Sequence, residues 1–318
     1  MTFIQASIEK MTTQSSTPPS NSPYIGRFAP TPSGALHFGS LVAALSSFLE
    51  ARVHKGQWLL RIDDIDAPRV VPGAVDEILA ALERFGFAWD GAVRFQSQCM
   101  ERYGAAVEVL GRDGFVFACT CTRRLLAERG NHGPYDGFCR GHGHALQGAH
   151  SLRFSLPLPL PELCDGVQGV VAWEQWRAEM GDFVVRRGDG FYAYHLACAV
   201  DDAHEGITHV VRGSDLLPSS FQQRALMEAL GSAAPVYAHV PVALARDGQK
   251  LSKHNQSRPL DPRHPVPELV QALAFLGQCP PAGLERASVQ TLWQWALECW
   301  DLARVPRAMG MPVSGLHG

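Results

Sequence analysis

Apolar and polar positions follow two rhythms along this chain. From Gly39 to Val53 the apolar residues Leu41, Val42, Leu45, Phe48, Leu49 and Val53 recur at helical spacing, which predicts one amphipathic helix. Short apolar runs flank it, Tyr24 to Ala29 and Gln57 to Ile62, and read as buried strands. Between the first run and the helix, Pro30-Thr31-Pro32-Ser33-Gly34 cannot continue a strand and reads as a turn. Further helical patterns lie near Val75 to Phe85 and Met100 to Leu110. This β-α-β-α alternation predicts an α/β fold with a parallel sheet and crossover helices. The rhythm breaks from Phe115 to about Gly181, where Cys, Gly and His cluster and PLPLPEL follows at Pro157 to Leu163. It resumes with strands at Asp182 to Arg187 and Ile207 to Arg212, a helix from Pro218 to Leu230, and a last strand from Val236 to Ala245. Two more helical patterns follow, Pro267 to Leu276 and Ser288 to Trp300.

These shifts divide the chain into residues 1–22, a polar tail expected to be disordered; 23–114, the first half of a catalytic domain; 115–181, an insertion with its own small structure; 182–260, the second half; and 261–318, a helical C-terminal segment. Composition narrows the class only a little. Apolar residues make up 46%, ordinary for a globular core. No apolar run reaches membrane-spanning length and no signal-peptide pattern opens the chain, so no membrane partner and a cytoplasmic location are expected. A net charge of −3 offers no global attraction for nucleic acid, so any such binding must use a local patch. The clearest one is Arg246 to Arg263, with five Lys/Arg against two Asp. Eight Cys without secretory features point to a reducing compartment, where clustered Cys more often mean metal than disulfide.

Two short stretches carry candidate chemistry. The first is RFAPTPSGALHFGS, Arg27 to Ser40. A strand that feeds a turn and then a helix gathers backbone N–H groups and the positive end of a helix dipole at one point, a natural phosphate seat. Pro30, Pro32 and Gly34 let the backbone approach a planar base, and His37 is placed to donate to a phosphate oxygen in the transition state. The second stretch is KLSKH, Lys250 to His254, after a strand and the Asp247-Gly248 turn. Lys253 there would neutralise the β- and γ-phosphates as pyrophosphate leaves. Alone, either stretch has a plain reading, as a helix start or a solvated basic loop. Together they make a nucleotide-handling pair, with Ser33, Gly34, His37, Gly39, Lys250, Ser252 and Lys253 as ATP-binding candidates and His37 and Lys253 as the catalytic pair.

A third signal is metallic. Cys119 and Cys121, one residue apart, can share a Zn²⁺ as thiolates, and Cys139 supplies a third. One N or O donor would complete a tetrahedron. Tyr135 is four residues before Cys139, while His132, His142 and His144 lie nearby, and residue type alone favours His142 over Tyr135. A site with four protein ligands has no open position and would be structural. The other cysteines are scattered. Asp201-Asp202 reads as structural, and Trp293, Trp295 and Trp300 as packing for a C-terminal helix.

The two stretches resemble the HIGH and KMSKS signatures of class I aminoacyl-tRNA synthetases. RIDDIDAPR at Arg61 to Arg69 and VDDAHEGITHVVRGSDLLPSS at Val200 to Ser220 make the resemblance specific to the glutamyl-tRNA synthetases, over about residues 24 to 260. It implies a Rossmann-type catalytic domain that activates L-glutamate with ATP and Mg²⁺. It also implies a glutamate pocket of Arg27, Phe28, Ala29, Pro30, Thr31, Asp63, Tyr194 and Arg212, with the two arginines on carboxylates. Asp63 stands where the family usually has Glu to hold the α-ammonium, one methylene shorter, so the contact runs through water or shifts to Asp64. For the metal, the resemblance implies Cys119, Cys121, Cys139 and the Tyr135 phenolate. Only 64 residues follow His254, which leaves no room for the family's anticodon-binding region. The chain is in this respect similar to a shortened paralogue of the family that places glutamate on queuosine in the anticodon loop of tRNA(Asp). A monomer with that tRNA as partner is expected. The alternatives are a shortened ordinary synthetase that charges the tRNA 3′ end, or a non-catalytic RNA-binding paralogue. Intact His37, Lys253, Arg27 and Arg212 count against the latter.

Overall fold

The computed structural model describes residues 23–148, 150–245 and 258–313. Strands β1 (Ile25–Phe28) and β2 (Gln57–Ile62) run parallel with Arg27 opposite Leu59, and helix α1 (Phe38–Val53) crosses between them. Pro30 and Pro32 stop β1, and Gly34 at φ 129° makes a turn that an L side chain would strain. A short β3 (Arg94–Phe95) extends this half beyond β2, with α2 (Ala74–Arg84) and α3 (Met100–Arg112) on either side of it in the chain. In the second half, β9 (His209–Gly213) and β10 (Val236–Val240) are parallel and are joined by α6 (Leu217–Ala229). Thr208 stitches the halves together. Its N–H donates to the Ile25 carbonyl at 2.9 Å, and its Oγ1 accepts from the Ile25 N–H at 2.8 Å. These bonds set β1 beside β9.

The stretch that broke the rhythm is divided between two sheets. Strands β4 (Val116–Cys119), β5 (Ser151–Phe154) and β8 (Phe183–Arg186) form an antiparallel sheet, with α4 (Arg123–Glu128) in the connection from β4 to β5. Strand β6 (Leu163–Asp165) leaves that sheet, pairs parallel with β10, and carries β7 (Gly169–Val171) antiparallel at the edge. The small sheet therefore takes in residues beyond 181, while residues 163–171 extend the main sheet.

Two elements differ from the sequence pattern. Helix α5 (Tyr194–His204) has no visible period because Leu196 to Asp202 are all buried, so no polar face marks it. The expected strand from Val236 to Ala245 is cut at Pro241, which has no N–H for a ladder, into β10 and β11 (Val242–Leu244). Strand β11 pairs parallel with β12 (Gly310–Pro312) from the far end of the described chain.

The main core surrounds α1. Phe48, Trp58, Phe87 and Trp293 pack as one aromatic group, with the Phe48 ring 4.8 Å from Trp293 and 5.1 Å from Trp58. Helices α7 (Pro265–Phe275) and α8 (Val289–Cys299) cover the outer side of α1. The indole of Trp293 donates to the Phe85 carbonyl at 3.0 Å and that of Trp300 to Glu50 Oε1 at 2.7 Å, so Trp293 and Trp300 pack as expected. Among the described residues no helix is long and apolar enough to cross a membrane.

Candidate active site

The crossover from β1 runs one way to β2, and that from β9 runs the other way to β10. Where an α/β sheet reverses its winding, the strand ends part and leave a crevice. A cavity of about 500 Å³ opens there. Its walls come from the carboxyl ends of four strands: Phe28 to Pro30 at the end of β1, Asp63 after β2, Arg212 and Gly213 in β9, and Val240 to Ala243 from the end of β10 into β11. Twelve of the described residues are substrate-binding candidates from the sequence. Of these, Arg27, Phe28, Ala29, Pro30, Thr31, Ser33, His37, Gly39, Asp63, Tyr194 and Arg212 line this one cavity. Gly34 shapes the turn without lining it. Lys250, Ser252 and Lys253 lie outside the described residues.

His37 caps α1. Its Nδ1 accepts from the Ser40 N–H at 3.4 Å, so in the neutral ring the proton sits on Nε2. The amides of the first turn of α1, with Gly39 and Ser40 on the cavity wall, add donors without any acidic residue among them.

The charged floor differs from the sequence expectation in how the charges pair. The resemblance puts Arg27 on a substrate carboxylate, yet its fork is closed on Asp202, Nε to Oδ1 at 3.1 Å and Nη2 to Oδ2 at 2.9 Å. Asp202 also takes Arg61 Nη1 at 2.6 Å, and Arg61 Nε reaches Asp63 Oδ1 at 2.8 Å. Burial would raise the Asp202 carboxyl, but Arg27 and Arg61 outweigh it and hold it well below the usual carboxylate range. Burial pushes the Asp63 carboxyl up, against the pull of Arg61. Asp64, the alternative partner for an ammonium, is turned away to Ser97. Asp201 is likewise held by protein, by Tyr103 at 2.6 Å and Arg102 at 3.0 Å. Arg61, whose Nη2 lies 3.3 Å from Cys198 Sγ, belongs to this floor with that cysteine, and the sequence motifs give neither a role. An Arg inside the apolar run of QWLLRI was the available signal, since a buried Arg needs a buried carboxylate.

Arg212 is built differently. It is 5% exposed, and among the described residues it makes no ion pair. Its Nε points at His239 Nε2 (3.3 Å), and Nη2 donates to Ser220 Oγ (2.7 Å) and the Leu216 carbonyl (3.3 Å). The Tyr237 ring lies 5.3 Å from the guanidinium carbon. Nη1 is buried, with no acceptor among the described residues. An unpaired buried donor on a cation is costly, so the arrangement favours an anionic group arriving in the cavity. Tyr194 opens α5 beside it, and burial pushes its phenol up, keeping it a neutral donor.

Far from the cavity in sequence, β4 and the loop before β5 bring together the thiols of Cys119, Cys121 and Cys139, all within 4.8 Å of one another. The Tyr135 hydroxyl is 3.3 Å from Cys119 Sγ and 3.7 Å from Cys121 Sγ, and it accepts from the Cys139 N–H at 2.9 Å. For Zn–S bonds of about 2.3 Å, the edges of a tetrahedron are about 3.8 Å. The Cys121–Cys139 separation of 3.5 Å is close to that edge. Three thiols and one phenol thus form a donor set that fits zinc. His142 instead stacks with Phe138 and His144, outside this cluster.

Comparison with known proteins places the chain in a family. A family model described as "tRNA synthetases class I (E and Q), catalytic domain" matches residues 25–264. The glutamyl-Q tRNA(Asp) synthetase of Pseudomonas aeruginosa (strain LESB58) is 50% identical over 295 residues, covering 93% of this chain and 99% of the relative. That of Aromatoleum aromaticum (strain DSM 19018 / LMG 30748 / EbN1) is 48% identical over 297 residues, 92% of this chain and 94% of the relative. Among solved structures, the glutamate-tRNA synthetase from Elizabethkingia anophelis superposes with a TM-score of 0.75 at 28% identity, over 92% of this chain and 68% of that one.

Proposed function

Since the chain belongs to the class I tRNA synthetase family of the glutamate and glutamine type, we propose that it activates L-glutamate in the switch-point cavity and passes the glutamyl group to queuosine in the anticodon loop of tRNA(Asp). Glutamate activation and ligation to tRNA follow from the family. The queuosine acceptor is the finer reading, supported by relatives of that name that match along nearly their whole length. The observation that carries the pocket is Arg212, a buried cation on the cavity wall with no ion-pair partner among the described residues.

The α-carboxylate of glutamate attacks the α-phosphorus of ATP. A C–O–P bond forms, the bond to the β-phosphate oxygen breaks, and pyrophosphate leaves. The attacking group is already ionised at neutral pH, so no general base is needed, and rate comes from positioning and charge stabilisation. Because the α-carboxylate must stay free to attack, the side-chain carboxylate is the one for Arg212 to hold. Asp63 and Tyr194 lie across the same cavity for the α-ammonium and the side chain. His37 donates from Nε2 to a phosphate oxygen, beside the amides at the start of α1. Mg²⁺ arrives with the ATP and offsets phosphate charge; Lys250, Ser252 and Lys253 keep the role the resemblance assigns them. In the second step a queuosine hydroxyl attacks the glutamyl carbonyl carbon, and AMP leaves as the ester forms. Cys119, Cys121, Tyr135 and Cys139 would hold a structural zinc that ties β4 to the loop before β5.

The test supplies radiolabelled glutamate, ATP and queuosine-containing tRNA(Asp), then cleaves the tRNA with ribonuclease. Label is expected on the anticodon fragment and absent when the tRNA lacks queuosine. Label on the 3′-terminal adenosine would replace this reading with an ordinary synthetase.

A further inference from the structure

Behind Arg212 runs a line of buried polar groups that neither reaction step uses. Asp165 ends β6. Its Oδ1 accepts from the backbone N–H groups of Val167 (3.0 Å), Gln168 (2.8 Å) and His239 (3.0 Å). Its Oδ2 lies 2.5 Å from Nδ1 of His239. A carboxylate can only accept there, so Nδ1 carries the imidazole proton and Nε2 is left as an acceptor. That acceptor faces Ser220 Oγ at 3.0 Å and Arg212 Nε at 3.3 Å, and Ser220 Oγ in turn accepts from Arg212 Nη2 at 2.7 Å. His239 and Ser220 are 0% exposed and Asp165 is 6% exposed.

Such a line is an expensive way to fill a core, since every member must find its partner. Its value lies in where it ends. If a carboxylate touched Arg212 directly it would occupy the guanidinium fork, as Asp202 occupies that of Arg27. Passed through an imidazole, the negative charge of Asp165 steadies the cation from behind. Nη1 is then the part of the guanidinium that no group among the described residues holds.

We propose that Asp165, His239 and Ser220 are positioning residues that hold Arg212 in the orientation that receives the substrate carboxylate. This rests on the reading of Arg212 as the carboxylate ligand. Strand β6 comes from the stretch between the cysteine cluster and β8, so that stretch reaches the amino-acid pocket through Asp165.

Asp165→Asn tests it, because the amide oxygen can keep the three backbone bonds while its NH₂ replaces Oδ2. The NH₂ then donates to Nδ1, the proton moves to Nε2, and two donors face each other at Arg212. In ATP–pyrophosphate exchange the KM for glutamate should rise about tenfold, as when a supporting hydrogen bond behind a ligand is removed. The KM for ATP should not move, and kcat should change less than the glutamate KM. A folded Asp165→Asn enzyme with wild-type glutamate KM overturns the proposal. In an Arg212→Lys background the added effect of Asp165→Asn should shrink, and fully multiplicative effects would also overturn it. Should Asp165→Asn fail to fold, Ser220→Ala decides: a rise in glutamate KM of about threefold supports the relay, and no change overturns it. Arg212→Ala separates the two readings. If it leaves the glutamate KM unchanged, the pocket assignment itself is wrong; if it raises KM while Asp165→Asn does not, only the relay is wrong.

Discussion

Arg27 and Arg212 stand in the same cavity, 4% and 5% exposed, and a sequence motif presents them as equivalents. Their surroundings separate them. Arg27 is closed on Asp202 and shares that carboxylate with Arg61. Arg212 rests on a serine, a histidine, a backbone carbonyl and the face of a tyrosine, all neutral. Burial pushes His239 down, so it stays uncharged at neutral pH and adds no second positive charge beside the guanidinium. One cation is saturated from within the protein and gives the floor its shape. The other has no carboxylate paired with it among the described residues. What the neighbours already supply, and not the motif, sets the two arginines apart.

The largest effect that would break this contrast is on the saturated side. Asp202→Ala strands two buried guanidinium groups and should cost about 3–5 kcal/mol of stability, read as a fall in the urea midpoint. Its pH dependence has a definite sign. The folded carboxyl lies below its unfolded value, so its contribution is complete above about pH 4 and fades as pH falls toward the folded value. The wild type should show that acid loss, and Asp202→Ala should show much less of it. A variant as stable as wild type would mean that Arg27 is not held by Asp202.

Next comes Arg212→Ala. It should raise the glutamate requirement by about 2–5 kcal/mol, seen as the KM in pyrophosphate exchange, with less loss of stability than Asp202→Ala because no carboxylate pairs with Arg212 directly and Asp165 keeps its bonds to His239 and three backbone N–H groups. Wild-type behaviour would remove Arg212 from the site. The same cation should make glutamine a poor substrate, since an amide offers it no charge; equal exchange with glutamine would dissolve the distinction between the two arginines.

The smallest expected effect on this pocket is a control from the cysteine cluster. Metal analysis should find one zinc per chain, nearly all lost in Cys121→Ser, while the glutamate KM stays within about twofold because the cluster touches neither arginine. Tyr135→Phe should keep zinc with about tenfold weaker affinity. Undiminished affinity would return the fourth position to His142 or His132.

Much of this was legible early because it is local. The turn at Pro30 to Gly34, the cap at His37 and the helix of α1 are dictated by neighbours a few residues apart, and their periodicity survives in the sequence. The cysteine spacing likewise announced a cluster, although residue type alone pointed to His142 where the fold presents Tyr135. What stayed hidden is long-range. Nothing near Arg27 marks Asp202 as its partner, 175 residues on, and nothing in PLPLPELCD marks Asp165 as support for His239. Helix α5 escaped for a related reason. A segment buried on all sides, Asp201 and Asp202 included, shows no polar stripe to betray its period.

Strand β12 has a consequence in time. Ribosomes deliver β1, α1 and β9 long before residues 310–312, yet β12 is the partner of β11, which directly continues the cavity wall at Val242 and Ala243. The Met309 carbonyl accepts from both the Val242 N–H and the hydroxyl of Ser214, two residues after Arg212. A nascent chain can therefore form the turn between β1 and α1 early but completes the cavity wall at Val242 and Ala243 only when the last described residues leave the exit tunnel. Synthesis itself separates having the motifs from having the site.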